Sequence, residues 1–352
     1  MQKYLRVLRR PLASRGRAAA VGLAGLAAVM LAASACSSTN SGSSGTSTTS
    51  ITIGDGIANV ELLPIWVAQA KGYFAGHHLK VKMANLTDTT VVSGLMSGSA
   101  QYAQVNVSLF VAAVSQNLPV LALQNAVEGV PVALIVTNKF AAAHSLTAAT
   151  PIATVIHDLR GSTGGFSSPV TKGQANVLLN SYGVSPSDVK EASFSAVSGV
   201  EAAFKKDQID WFVTGQPTPD LLQYQKTGIV VADRSNARAW GDPTLINQVM
   251  VAQSSYAAGH KAVTQELLAA LQQGSDYINK DPAGAAEVLM QNQPGLPVTV
   301  AREAVAANVW PTSGAFTAQQ WAGSLKFAIN AGEVPSDSKV PSSAYSNAYL
   351  GG

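Results

Sequence analysis

From Ile51 onward, short apolar runs alternate with helix-like segments, and this alternation limits the fold more than any other feature of the sequence. It is typical of α/β proteins, in which mostly parallel strands are connected by helices. The predicted strands of the first half lie at 51–53, 79–83, 101–105 and 120–123. Those of the second half lie at 189–194, 209–213 and 229–232. Both halves follow the same order of helices and strands, which predicts two similar lobes.

Two further apolar strands, at 130–136 and 245–252, lie between the repeated segments and predict the two chain crossings of a hinge. A chain with about 300 folded residues normally divides between two cores. We therefore assign residues 51–136 plus 253–352 to the first lobe and residues 137–252 to the second.

Helix ends are marked most clearly in the second half. Ser168 is a candidate N-cap, Pro169 suits the first helical turn, and Gly183 ends the apolar pattern. Ser198 and Glu201 have the spacing of a capping box. These signals predict one helix that begins at Ser168 and another that begins at Ser198.

Residues 1–35 have the composition of an export signal. Six basic residues and no acidic residue come first, and an uncharged stretch follows at 18–35. This stretch ends in small residues immediately before Cys36, the only cysteine, as in a lipobox. We expect cleavage before Cys36 and lipidation of its thiol. The alternative is an uncleaved anchor, because a membrane-spanning helix needs about 20 apolar residues, and Arg9 and Arg10 leave twin-arginine export open.

Removal of the signal changes the charge of the chain. The whole sequence has 23 basic and 20 acidic residues, whereas the part after residue 35 has 17 basic and 20 acidic ones. No Lys/Arg cluster remains, so nucleic-acid binding is not expected. With one cysteine, the chain has no disulfide. Residues 36–50 are predicted to be the lipidated cysteine and a flexible Ser/Thr/Gly tether on the outer face of the cell membrane.

Four segments, in order and at similar spacing, resemble one family. They are Leu63–Phe74 (P-x-x-x-A-x-x-x-G-Y-F), Leu95–Ala103 (L-x-S-G), Asp158–Gly161 (D-L-x-G) and Asn279–Ala286 (N-P-x-x-A). The family is the nitrate/sulfonate/taurine branch of the substrate-binding proteins of ABC transporters, which also includes binders of thiamine pyrimidines. One departure is Gln101, which stands where the family usually has Asp.

The resemblance implies a type II periplasmic-binding-protein fold, with two lobes, a hinge and a central cleft. It also implies a monomeric receptor without cofactor or catalytic activity, which delivers a small solute to the permease and ATPase subunits of an ABC importer. A sulfonate-like or other oxyanionic solute is the first expectation, and a pyrimidine-like heterocycle is the alternative. A sensory or scaffold lipoprotein on the same fold is the competing class.

Ligands of open parallel sheets bind beyond the carboxyl ends of the strands, where helix N-termini offer free N–H groups. The segment Gly164–Ser168 is the most informative of these junctions, because it combines glycines, two hydroxyls and a helix start. The predicted ligand-binding residues are Asn59, Asn106, Ser108, Glu128, Phe166, Ser167, Ser168, Thr171, Thr214 and Gln216.

Acidic residues near these junctions complicate an anion pocket. Asp55, Glu61 and Glu128 would repel an oxyanion if they faced the cleft without a cation. A cleft that contains Glu128 would favour an amine-bearing or heteroaromatic ligand. Trp66 and Trp211 lie near the junctions and could stack on a ligand, but we expect both to be core residues.

Enzyme and metal interpretations have little support in the sequence. His77 and His78 are adjacent and have no further His/Cys cluster beside them, so no metal site is predicted. Enzymes that synthesise the thiamine pyrimidine share the fold that the resemblance implies, and they carry a cysteine-rich motif. An enzymatic role of that kind would require the same motif here. Cys36 is the only cysteine, and the chain is therefore predicted to be a binding protein.

Overall fold

The computed structural model describes residues 47–56 and 59–351. The predicted signal peptide, the lipidation site Cys36 and most of the predicted tether lie outside these residues. The folded part begins earlier than Ile51, because Thr49 and Ser50 already pair with Leu79 and Lys80 in a parallel ladder. The end of the tether is therefore corrected from residue 50 to residue 48. Within the described ranges, no helix has the length and hydropathy of a membrane span.

The described part of the chain contains ten strands and fourteen α-helices. The strands are β1 (Thr49–Asp55), β2 (Leu79–Asn85), β3 (Tyr102–Asn106), β4 (Val120–Glu128), β5 (Val132–Thr137), β6 (Thr163–Phe166), β7 (Lys190–Ser193), β8 (Trp211–Gly215), β9 (Gly228–Asp233) and β10 (Ile246–Gln253). The helices are α1 (Leu63–Ala70), α2 (Tyr73–Gly76), α3 (Val91–Met96), α4 (Val107–Ser115), α5 (Asn138–Ala143), α6 (Ile152–Asp158), α7 (Pro169–Ser181), α8 (Val197–Phe204), α9 (Thr218–Tyr224), α10 (Ser254–Gly259), α11 (Lys261–Lys280), α12 (Pro282–Asn292), α13 (Val298–Ala307) and α14 (Ala318–Asn330).

Two five-stranded sheets have the same topology. The first has the order β2-β1-β3-β10-β4, and the second has the order β7-β6-β8-β5-β9. In the first sheet β1 runs parallel to β2 and β3, and β10 runs antiparallel to its two neighbours. In the second, β6 runs parallel to β7 and β8, and β5 is antiparallel to both of its neighbours. The expectation of two similar lobes with mostly parallel strands is therefore confirmed.

The predicted boundaries between the lobes need correction. Strand β5 pairs with β8 and β9 and so belongs to the second sheet, although the boundary after residue 136 placed it in the first lobe. Strand β10 pairs with β3 and β4 and belongs to the first sheet, although the boundary after residue 252 placed it in the second lobe. The chain therefore crosses between the lobes before each strand. The two crossings lie side by side, since Gly129 N donates to Leu245 O at 2.7 Å.

The position of each strand in its sheet explains how many of its side chains are buried. Strands β3 and β5 are buried along their whole length, as expected for strands covered on both faces. The edge strand β7 exposes Lys190 and Glu191, and the edge strand β2 has one buried residue, Leu79, and exposes Lys80 and Lys82. Charged edge strands resist pairing with other chains.

Trp211 forms the centre of the second lobe's core. The side chain is 0% exposed, and its Nε1 donates to Ser162 Oγ at 2.8 Å. Its ring lies over Gly164, where an added Cβ would stand 2.6 Å from the indole. Trp66 is partly buried and packs against two clusters of the first lobe. Both tryptophans therefore pack as the sequence predicts.

The C-terminal helices do more than complete the first lobe. Helices α11 and α12 pack on α1 of that lobe. Helix α13 also contacts α9, and α14 contacts α7, so both reach the second lobe. On α14, Trp321 belongs to the first lobe's core, whereas Phe327 packs against the second lobe's core. The lobes are thus in contact through two of the C-terminal helices.

Candidate ligand-binding cleft

A cavity of about 630 Å³ lies between the two sheets. Its walls come from the segments that follow β1, β2 and β3 in the first lobe and β6, β7 and β8 in the second. The carboxyl ends of six parallel strands therefore surround one space, as the general rule for open parallel sheets predicts. The volume is typical of small-molecule sites.

Six of the ten predicted ligand-binding residues line this cavity. They are Asn59, Asn106, Ser167, Ser168, Thr171 and Thr214. Three of them lie at the start of α7, where Ser168 is the N-cap and its Oγ accepts from Thr171 N at 3.3 Å. The two serines before α7 thus line the cleft, whereas Gly164 and Gly165 face core side chains, and the predicted helix start is confirmed.

The other four predicted residues lie elsewhere. Ser108 lines a separate small cavity beside α14. Glu128 accepts from Asn125 Nδ2 at 2.7 Å and from Gln320 Nε2 at 2.6 Å at the end of β4. Phe166 is buried edge-on against Trp211, with ring centroids 5.6 Å apart. Gln216 is buried next to the cavity-lining Pro217. Each of these four side chains packs against, or forms hydrogen bonds with, residues outside the cavity.

Glu61 is a buried carboxylate on the cavity wall. It is 7% exposed and accepts from Asn247 Nδ2 at 2.8 Å, Gln248 Nε2 at 2.6 Å and Asn59 Nδ2 at 3.4 Å. Burial raises the pKa of Glu61, and the amide hydrogen bonds oppose that rise. Asn106 Nδ2 donates to Asn247 Oδ1 at 3.0 Å and extends this polar network. The network fixes the side chains at the floor of the first lobe.

Asp88 is a cavity residue that the sequence analysis missed. It follows β2, so the rule about strand ends could have found it. Burial raises its pKa to about 6, and a hydrogen bond from Ser168 of the second lobe opposes that rise. Its Oδ2 is buried and has no hydrogen-bond partner. Asp88 therefore has one buried acceptor that no donor satisfies.

Glu201 is the third carboxylate of the cavity, and the sequence assigned it a different role. The capping box with Ser198 is wrong, because α8 begins after Ala196 and has no side-chain cap. Glu201 instead accepts from Thr218 Oγ1 at 3.5 Å. Both Ser198 and Glu201 line the cavity. The second lobe thus contributes one carboxylate to the two of the first lobe.

The described lining of the cavity contains no Lys, Arg or His and no aromatic side chain. The predicted carboxylates Asp55 and Glu128 do not line it, whereas Glu61, Asp88 and Glu201 do. Within residues 47–56 and 59–351, the cavity included, no group of three His, Cys, Asp or Glu residues could hold a metal ion. The chemistry of the cleft is that of carboxylates, amides and hydroxyls.

A comparison with protein-family models matches residues 59–285 to the family described as "NMT1/THI5 like". The match spans more than half of the chain and both lobes. The chain belongs to this family. The family predicted from the four sequence segments is therefore confirmed. No curated protein matches the chain in a sequence comparison.

Solved structures of binding proteins share the fold of this family member. The alkanesulfonate-binding protein of Xanthomonas axonopodis pv. citri, bound to MOPS, has a TM-score of 0.67 at 17% identity, over 83% of this chain and 96% of that chain. The periplasmic aliphatic sulphonate-binding protein of Escherichia coli has a TM-score of 0.66 at 16% identity, over 86% and 99%. The periplasmic nitrate-binding protein of Synechocystis PCC 6803 has a TM-score of 0.64 at 14% identity, over 83% and 83%. They confirm the two-lobed periplasmic-binding-protein fold.

Proposed function

We propose that the protein is an extracytoplasmic receptor that captures a small solute between its lobes and delivers it to an ABC importer. The observation that carries this proposal is the 630 Å³ cavity, which both lobes line with strand ends and polar side chains. Hinge closure around a solute is a common motion of such two-lobed proteins. The neighbouring structures are named as binding proteins, which supports a non-enzymatic role.

The proposed ligand contacts are the six predicted residues in the cavity together with its three carboxylates. Asn59 and Asn106 are held by the amide network around Glu61, so their positions are fixed before a ligand enters. Ser167, Ser168 and Thr171 present hydroxyls from the other lobe. A ligand that touches both sets would hold the lobes together.

The ligand class depends on the charge of the cleft. The names of the neighbours support a sulfonate-like or nitrate-like oxyanion, and the N-terminus of α7 adds about half a positive charge. Three carboxylates line the cavity, two on the first lobe and one on the second, and they oppose this partial charge. The geometry therefore favours a solute that donates hydrogen bonds, as in the alternative of an amine-bearing heterocycle.

Binding is tested by thermal-shift measurements with sulfonates, nitrate, amino acids, amines and pyrimidines. We expect one class to raise the melting temperature by several degrees, because a ligand at 100 times its Kd stabilises by about 2.7 kcal/mol. The radius of gyration from small-angle X-ray scattering should fall with the same ligand. If no compound changes either quantity while a non-transport partner co-purifies, the sensory or scaffold alternative replaces this proposal.

We also propose that Cys36 carries a lipid that keeps the receptor next to its permease. Twelve residues, 37–48, separate this cysteine from the first strand, and they span at most about 40 Å. Radiolabelled lipid should be incorporated into the native protein and not into Cys36→Ala. Absence of label from both proteins, with membrane retention of Cys36→Ala, would instead support the uncleaved anchor.

A further inference from the structure

The unpaired buried atoms of the cleft are all hydrogen-bond acceptors. Asp88 Oδ2 has no partner, and neither does Gln174 Oε1. Gln174 is 6% exposed, projects from α7 of the second lobe and lines the cavity. A buried acceptor without a partner destabilises a protein. Both atoms therefore lack a donor, and a simple oxyanion such as nitrate or an alkanesulfonate does not supply one.

The charge of the cleft has the same sign on both lobes. Glu61 and Asp88 come from the first lobe and Glu201 from the second, and no basic side chain in the described lining balances them. Glu61 is already bound by three amide donors, whereas Asp88 keeps a free oxygen. Asp88 is thus the carboxylate best suited to pair with a positively charged group of a ligand.

Apolar side chains complete the wall without any flat stacking surface. Leu86, Val132, Val170 and Leu221 line the cavity, and the described lining has no aromatic ring. Such a wall suits an aliphatic stem better than a planar heterocycle. The remaining uncharged polar groups of the wall are hydroxyls and amides, which can both donate and accept hydrogen bonds.

We propose that the solute is a small organic cation, with an ammonium or amidinium-type group on an aliphatic stem, whose charged end pairs with Asp88 and Gln174. This inference rests on the proposed receptor function and specifies its ligand. It differs from the oxyanion expected from the sequence, because that expectation considered the helix N-termini and hydroxyls without Asp88. The cation would also pair across the cleft, since Asp88 and Gln174 belong to different lobes.

The charge of Asp88 gives the proposal a pH signature. Burial raises the pKa of Asp88 to about 6, and the groups that face it are Ser168, Glu61 and Glu333. Asp88 is mostly protonated at pH 5 and ionised at pH 7.5. A permanent cation should therefore bind more tightly at pH 7.5, by about tenfold. An anion should show the opposite dependence, because protonation removes a repelling charge.

The test is a calorimetric titration of the protein at pH 5 and pH 7.5. Two of the probes, butylammonium and butane-1-sulfonate, share one stem and differ in the sign of their charge. Agmatine is a second cation, and nitrate is a second anion. We expect the cations to bind, at least about tenfold more weakly at pH 5 and in Asp88→Asn. The matched control is Asp220→Asn, because burial also raises the pKa of Asp220 to about 6 and this residue does not line the cavity. Its affinity should equal that of the native protein.

Other outcomes separate the two proposals. Binding of the anions alone, or tighter anion binding in Asp88→Asn, would overturn the cation inference and leave the receptor function in place. Cation binding that Asp88→Asn and the drop in pH leave unchanged would also overturn it. If neither cation nor anion binds while a pyrimidine or amino acid closes the lobes, the inference fails and the receptor function holds. The pH profile uses the unaltered protein, so it decides the question even if Asp88→Asn fails to fold.

Discussion

Replacing Gly274 with alanine is expected to lower the free energy of unfolding by about 2 kcal/mol. Gly274 lies within α11, where it faces α1, and an added Cβ would stand 2.3 Å from the carbonyl oxygen of Pro64. That oxygen belongs to the backbone, so relief of the clash requires one helix to move. The melting temperature of Gly274→Ala, measured by calorimetry, should be several degrees below that of the native protein.

Gly259→Ala is the matched control for this substitution. Gly259 also belongs to a helix, α10, but an added Cβ would meet nothing within 4 Å. Alanine is favoured over glycine in helices by about 1 kcal/mol, so Gly259→Ala should leave stability unchanged or slightly raised. If Gly274→Ala were as stable as Gly259→Ala, the close packing of α11 on α1 would be wrong.

Replacing Glu333 with glutamine is expected to stabilise the protein at alkaline pH. Glu333 follows α14 and lies against α7, where a Cβ on Gly173 would stand 2.2 Å from Glu333 Oε1. Both carboxyl oxygens are buried and have no hydrogen-bond partner. Burial raises the pKa of Glu333 to about 8, with a smaller contribution from the charge of Asp88 and an opposing effect of the Ser108 hydroxyl. The folded protein therefore holds this group in its neutral form.

The direction of the effect follows from proton binding. The unfolded chain releases this proton near pH 4.5, whereas the folded protein keeps it until about pH 8. Between these values the folded state binds the extra proton, so native stability falls as pH rises, by at most about 1.4 kcal/mol per unit. Glutamine removes the ionisation but adds an amide donor that needs a partner. We expect Glu333→Gln to be more stable by about 2 kcal/mol at pH 8, with no gain at pH 4.

Urea unfolding of Glu333→Gln and the native protein at pH 4, 6 and 8 measures this difference. The control is Glu287→Gln, because Glu287 is an exposed glutamate on α12 and should respond little at any pH. A stability difference that does not change with pH would show that the Glu333 carboxyl is hydrated rather than buried between α14 and α7.

The sequence identified much of the cleft because strand ends in parallel sheets follow a general rule. Applied to Ser167, Ser168 and Thr214, the rule found residues of the second lobe that line the cavity. It failed for Phe166, because a residue within a strand can point to either face, and packing against Trp211 selected the core face. Asp88 was missed because the rule was applied to the segments after the first and third strands and not to the segment after β2.

By itself, the sequence determined the α/β class, the family and the repeated order of helices and strands, because these depend on local patterns of apolar residues and on helix ends such as Ser168. The tertiary structure decided which sheet receives β5 and β10. A fully buried strand has no polar face to indicate its partners, and only hydrogen bonds between residues distant in the chain, such as those of β10 with β3, assign it. The structure likewise placed Asp88, from the loop after β2, and Glu201, from α8, in one cleft without basic residues in its described lining. The negative charge of the cleft therefore arises from carboxylates of several segments, and no single segment of the sequence predicts it.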